Sequence, residues 1–317
     1  GVAAQVDGKI NMGFHYIGSQ DHNETLSQVT ASAQGLNVIA PTWFSVQDSQ
    51  GTLLSYGDKT YVDQAHEAGL QVWGVMGDVN GTEVSTARLA PPAPVRPAPP
   101  PPPAIRPAGV FSLAPGASIR QETAPQYLQF LKELCAAAHA QGLVVSSDNF
   151  VPLYTPYYKR AEQAKTVDYI VIMGYDEHTA SSEEIGSVAS LPFVEQGITD
   201  TLAEVSKEKV INAIPFYTRA WTEAFGETVP QSQALGMDEA SAFAQEHGIS
   251  LSWDAAVGQN TGSAEDGTAR YSIWMEDEQS VEEKMKLIQK YDLAGVAQWR
   301  LGFERASVWP VIEEYLQ

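Results

Sequence analysis

Seven short runs rich in β-branched and aromatic residues recur along the chain, and helical patterns follow them. INMGFHYI (10–17) comes first, then LNVIAPTWFSV (36–46), LQVWGVMGD (70–78) and LVVSSDNFVP (143–152). VDYIVIMGYDEH (167–178), VINAIPFYTRAW (210–221) and AGVAQWRLG (294–302) complete the set. The intervening segments, such as TYVDQAHEAG, QYLQFLKELCAAAHAQG, PFVEQGITDTLAEVS and SVEEKMKLIQKYD, place apolar residues at helical spacing. Near-continuous apolar strands alternating with amphipathic helices require a parallel sheet covered on both faces. The spacing leaves room for an eighth strand between 78 and 143. Eight such units predict an α/β fold, a (β/α)8 TIM barrel over one domain, 1–317, with a doubly wound sheet as the alternative.

One interval is too long for a single helix. Residues 222–275 contain a helical piece (MDEASAFAQEHG), the strand-like LSWDAA and ARYSIWMED, and the polar QNTGSAEDG between them. A hairpin around that polar stretch predicts a small α+β insertion between strands 7 and 8, on the face where barrel loops carry function.

Charge limits the partners. With 39 acidic and 19 basic residues the formal net charge is −20, which repels phosphate backbones and anionic lipid, so nucleic-acid and membrane partners are not expected. No apolar run reaches the roughly 20 residues of a membrane span, and GVAAQVDG at the start shows no secretory signal pattern. The lone Cys135 lies in a helical pattern and reads as a buried structural thiol. The six scattered His show no metal-site spacing, so neither a metal nor a cofactor is expected. A monomer is the expectation.

In such a barrel the functional groups stand at the C-terminal ends of strands. Those ends carry His15 and Tyr16, Trp43, Asp78, Asp148 and Asn149, then Tyr175, Asp176 and Glu177, Tyr217 and Arg219, and Gln298 and Trp299. Aromatic faces stack on pyranose rings, Asp, Asn and Arg bind hydroxyl and amide groups, and carboxylates supply the acid for glycosidic cleavage. A carbohydrate cleft is the simplest reading. Each residue has a structural alternative: Trp43 and Trp299 as core, Tyr217 packed on the insertion, Asp176 as a helix cap, Glu177 as a solvated charge, and Asp148 with Asn149 as a turn pair.

IVIMGYDEH, SVASLPFVEQGI and VINAIPFYTRAW closely resemble glycoside hydrolase family 18, in the bacterial branch that includes spore-cortex-lytic N-acetylglucosaminidases. MGFHY, VVSSDNFVP and AGVAQWRLGFE are similar to the same branch, so the resemblance spans roughly 10–82 and 122–315. Its most specific part is Met173-Gly174-Tyr175-Asp176. The resemblance implies cleavage of β-1,4 bonds in N-acetylglucosamine polymers, peptidoglycan or chitin-like, with the substrate's own acetamido oxygen as nucleophile. It implies catalytic roles for Tyr175 and Asp176, with Tyr175 binding the acetamido carbonyl. Trp299 is implied as the floor of the sugar site, and Tyr217 and Arg219 as cleft-lining residues. Trp43, Tyr16, Asp148, Asn149 and Gln298 complete the expected substrate-binding set. An extracytoplasmic or spore-associated location is implied in the same way.

The family's fourth-strand motif, Asp-Gly-x-Asp/Asn-x-Asp-x-Glu, is not found. Its general acid is expected near residues 108–117, where Ala114, Pro115, Gly116 and Ala117 offer no proton. The region is dominated by LAPPAPVRPAPPPPPAIRPAG, with ten prolines between Pro91 and Pro107. Proline costs about 3 kcal/mol or more inside a helix and cannot donate to a central strand. The segment 89–121 is therefore expected to replace the third helix and fourth strand. Three readings stay open: a GC-rich coding stretch read out of frame, a sugar-binding barrel without catalysis, or a proline-rich ligand for SH3- or WW-type domains.

Overall fold

The computed structural model describes residues 6–48, 51–77, 111–114 and 121–317. The first three apolar runs supply β1 (Ile10–His15), β2 (Val38–Pro41, continued by Phe44–Val46) and β3 (Gln71–Val72 and Gly74–Gly77). β4 (Phe111–Ala114) comes next, followed by β5 (Val145–Phe150), β6 (Tyr169–Met173), β7 (Val210–Pro215) and β8 (Gly295–Trp299). Each pairs in parallel with its neighbour in chain order. Pairing of Ile10 with Gly295 joins β8 back to β1 and closes the ring, so the fold is the expected (β/α)8 barrel. Closure needs glycine at 295, because a Cβ there would stand 2.1 Å from the Ile10 carbonyl oxygen.

One expectation is corrected here. The segment 89–121 does not replace the fourth strand; it contains it, since β4 pairs with Gly74–Gly77 on one side and Val145–Phe150 on the other. Backbone pairing needs no particular side chain, so the uncharged sequence FSLA can take this position. The rest of the proline-rich stretch and Asp78 lie outside the described residues.

Helices pack around the ring where the sequence provides caps. Asp58 accepts the Tyr61 N–H at 2.8 Å to start Lys59–Glu67, and Ser190 starts Leu191–Leu202. Asp277 opens Glu278–Lys290 by accepting the N–H groups of Gln279 and Ser280. In Ala124–His139 the buried residues Tyr127, Leu131, Cys135 and Ala138 fall on one stripe. Burial pushes the Cys135 thiol up to about 11, as suits an inert packing group.

Strand register sorts side chains into two sets. Met12, Asp148, Val171, Ala213 and Ala297 share one face; Asn11, Asn149, Ile172, Asn212 and Val296 share the other. The second set faces the helices. Ser147, on that face, bonds Tyr127 of Ala124–His139 at 2.9 Å, and Asn149 bonds Gln163 of the helix Arg160–Gln163. The first set therefore points into the barrel.

The insertion is an antiparallel sheet that starts at Thr218 rather than 222. Its strands run Gln231–Leu235, Thr218–Ala224, Ala269–Trp274, Gln259–Glu265 and Ser252–Asp254 in spatial order, with the helix Met237–Glu246 alongside. The expected turn QNTGSAEDG is mostly strand: Gln259–Glu265 pairs on both sides, making two hairpins where one was expected. Small polar residues suit it because Ser263 bonds Ser272 across the pair at 2.9 Å. The turn itself is Asp266-Gly267, where the Asp266 carboxylate accepts from the Thr268 hydroxyl and the N–H groups of Thr268 and Ala269; those bonds lower its pKa to about 2. A buried ion pair, Lys284 to Glu276 at 3.0 Å, ties the helix Glu278–Lys290 to this sheet through Gln259, which donates to Glu276 at 3.1 Å.

Candidate active site

At the end of β6 the chain hugs β7 before turning. Gly174 donates its N–H to the Ala213 carbonyl at 3.0 Å, and a Cβ at 174 would approach that oxygen to 2.8 Å. Two residues on, Asp176 takes φ 61°, a left-handed conformation that Asp tolerates better than most residues. The kink leaves Tyr175 buried and Asp176 half-buried. Glu177 is drawn away from solvent, accepting from the Ser190 N–H at 2.8 Å and its hydroxyl at 3.0 Å, so it anchors the start of Leu191–Leu202.

Beyond β7, Phe216 and Tyr217 diverge. Phe216 donates its N–H to the Trp299 carbonyl at 2.8 Å and packs its ring on Trp309, on the helix side. Tyr217 goes to the other side, where its hydroxyl donates to Asp176 Oδ1. Its ring meets Tyr175 edge to face at 6.1 Å between centroids and Phe303 at 6.4 Å. Burial raises the Tyr217 pKa far above its ordinary value, and the Asp176 charge adds to the effect. Tyr175 is raised by burial, then by Asp176 and Asp148. Both phenols stay protonated donors. At the end of β8, Trp299 is partly exposed and rests on Phe14 at 5.5 Å. Tyr175, Asp176, Tyr217 and Trp299 thus collect at the C-terminal mouth of the barrel.

Asp148 points into the barrel and is buried, close enough to Tyr175 to influence its pKa. Tyr16 lies at the mouth, 48% exposed. Arg219 projects from the insertion sheet with Nη1 on Ser232 Oγ at 3.1 Å, and its buried Nε has no hydrogen-bond acceptor among the described residues.

Three expected substrate contacts lie elsewhere. Asn149 alternates with Asp148 and therefore faces the helices, where it exchanges amide hydrogen bonds with Gln163. Gln298 alternates with Trp299 and donates to Asn11 Oδ1 at 2.7 Å, fully buried under the outer layer. Trp43 is 1% exposed, donates to Asn23 Oδ1 at 2.7 Å, and packs edge to face on Tyr61 at 5.0 Å. It is a core residue between β2 and the helix Lys59–Glu67. His15 turns the same way, bonded to Tyr61 and Thr25.

Strand ends alone do not reveal Arg300 and Phe303. Arg300 stacks on the rings of Tyr16 and Phe303, with its guanidinium carbon 5.3 and 4.1 Å from their centroids. The RLGF run directly after the last strand is the signal that points to them.

At the level of solved structures, the spore cortex-lytic enzyme SleL of Bacillus cereus superposes with a TM-score of 0.79 at 16% identity, covering 98% of this chain and 74% of that one. A chitinase from Chromobacterium violaceum ATCC 12472 also gives 0.79, at 19% identity over 97% and 99% of the two chains. At these identities the likeness concerns the fold. Among curated sequences, the cortical fragment-lytic enzyme of Bacillus subtilis (strain 168) is 24% identical over 204 residues, 62% of this chain and 47% of that protein. The chain spans about half the length of the curated relatives it matches. The family model "Glycosyl hydrolases family 18" matches residues 110–304, more than half of the chain, which belongs to that family.

Proposed function

We propose that this chain acts on β-1,4-linked N-acetylglucosamine polymers, of the peptidoglycan or chitin kind, as a retaining, substrate-assisted glycosidase. The observation that carries the reading is the hydrogen-bonded Tyr217–Asp176 pair beside Tyr175 and Trp299 at the barrel mouth. An acetamido group entering there meets the Tyr175 hydroxyl, a protonated donor suited to its carbonyl oxygen. Asp176, held in place by Tyr217, orients the acetamido N–H so that its oxygen closes on C1 as the glycosidic bond breaks. Trp299 provides the apolar floor under the sugar ring.

Protonation of the leaving oxygen is the remaining requirement, and one observation favours a second reading. β4 ends at Ala114, and the sequence Pro115-Gly116-Ala117 that follows it contains no carboxylate at the place where the family's acid is expected. The second reading is a barrel that binds the same polymer without cleaving it.

A chromogenic N-acetylglucosaminide and calorimetry with chitotetraose separate the two. The glycosidase reading expects chromophore release that falls at least about 100-fold in Asp176→Asn. Saturable chitotetraose binding without release establishes the lectin-like alternative. Absence of both refutes the carbohydrate cleft.

A further inference from the structure

We propose that Arg300 is a specificity-determining residue that recognises a carboxylate on the glycan, so that the cleft selects an anionic N-acetylglucosamine polymer over neutral chitin. The inference rests on the carbohydrate reading above and names the substrate class within it.

Position comes first. Arg300 directly follows Trp299, the expected floor of the sugar site, and lies between Tyr16 and Phe303. Phe303 touches Tyr217, whose hydroxyl holds Asp176. Arg300 is thus linked through two rings to the acetamido-binding group, and it borders the exposed Tyr16.

Its partners, or rather their chemistry, come second. Among the described residues, several cations of this acidic chain sit on carboxylates, as Lys284 on Glu276, Lys290 on Glu195 and Arg305 on Glu278, while Lys209 bonds the Ala164 and Val167 carbonyls and Arg219 the Ser232 hydroxyl. The buried Arg160 spends its guanidinium on the carbonyls of Phe150 and Thr155. The Arg300 side chain makes no ion pair or hydrogen bond with any described residue; its guanidinium lies over the two aromatic faces. Stacking satisfies the plane of a guanidinium and leaves its N–H edge for an in-plane acceptor. A carboxylate is the group that takes two such N–H donors at once. Sugar hydroxyls alone would not need a full positive charge held half-buried at the cleft, where desolvation already works against the cation.

The net charge of −20 opposes an anionic ligand at long range. At physiological ionic strength that field is screened beyond about 8 Å, whereas a direct guanidinium contact is not. A glycan with one carboxylate per disaccharide is also far less charged than a duplex with one phosphate per ~1.7 Å. The local contact decides.

Two sources supply such a carboxylate: the lactyl ether of muramic acid, or a stem peptide attached through it. Calorimetry at about 0.15 M salt compares three ligands on the whole chain. They are chitotetraose, a peptide-free tetrasaccharide of alternating N-acetylglucosamine and N-acetylmuramic acid, and the same tetrasaccharide bearing stem peptides. The wild-type protein is expected to bind one of the anionic ligands at least about 5-fold more tightly than chitotetraose. Arg300→Gln is expected to reduce that ratio to about 1, and Arg300→Lys to retain part of it, with thermal unfolding of each variant recorded alongside. Preference for the peptide-free ligand assigns the lactyl carboxylate; preference for the peptide-bearing one assigns the stem. Equal binding of chitotetraose and both anionic ligands overturns the selectivity and leaves the carbohydrate reading standing. Equal losses for all three ligands in Arg300→Gln overturn it as well. Binding of none overturns the carbohydrate reading itself.

Discussion

His15 provides a quantitative test of how the barrel and its helices are joined. Its side chain is 2% exposed, with Nδ1 2.8 Å from the Tyr61 hydroxyl and Nε2 2.9 Å from Thr25 Oγ1. The Thr25 hydroxyl proton is already donated to the His22 carbonyl at 2.7 Å, so Thr25 accepts from His15 Nε2–H. Tyr61 then donates to Nδ1, and the network holds a neutral imidazole of one assigned tautomer. Protonation would make Nδ1 a donor and displace the Tyr61 proton within a buried site. Burial, with the nearby Arg300 and His22 charges, lowers the His15 pKa from 6.5 to about 4. Because the folded pKa lies below the unfolded one, the stabilisation is fully present above about pH 6.5 and is lost as pH falls towards 4. The whole shift corresponds to about 3 kcal/mol, of which about 2 kcal/mol is gone by about pH 5. His15→Gln can keep one donor and one acceptor without titrating. Urea unfolding at about pH 7.5 and about pH 5 should therefore show the wild type losing about 2 kcal/mol more than the variant across that interval. Superimposable pH profiles would refute the neutral buried imidazole.

Other perturbations test the remaining parts of the structure. Tyr217→Phe keeps the ring packing on Tyr175 and Phe303 but removes the donor to Asp176; chitotetraose affinity should fall about 10-fold by calorimetry, with a smaller effect on the unfolding midpoint. Lys284→Met strands the fully buried Glu276 and should cost about 3 kcal/mol in urea unfolding, most of it restored by adding Glu276→Gln. Gly295→Ala drives a methyl group into the Ile10 backbone and should cost at least about 3 kcal/mol, whereas Gly267→Ala, with open space around it, should be close to neutral.

What can be read from the sequence follows from which physical signals are local. The barrel is legible because parallel strands buried on both faces read as apolar runs, and the helices between them carry their own caps, as at Asp58 and Asp277. β4 is not, since FSLA lies beside a proline-rich stretch and draws its identity from pairing with two neighbours. The strand Gln259–Glu265 is hidden for a related reason: its small polar residues signal a turn locally, whereas Ser263 finds its partner, Ser272, only across the sheet. At the site, the misplaced residues fall in adjacent pairs. Asp148 with Asn149, and Gln298 with Trp299, cannot both line the cleft, because neighbouring residues of a strand face opposite sides. Period-two alternation alone removes one of each pair: an inward Trp299 dictates that Gln298 faces the helices, as its bond to Asn11 bears out. Trp43 differs, since its strand is broken between Pro41 and Phe44 and alternation no longer predicts its direction. Only the Asn23 acceptor and the Tyr61 ring, each distant in sequence, show that this indole is a core residue. Arg300 lies at the opposite limit: its neighbours Trp299 and Phe303 are nearby in sequence, but its stacking between two rings without a carboxylate partner among the described residues is a property of the folded surface, and the proposed recognition of a glycan carboxylate rests on it.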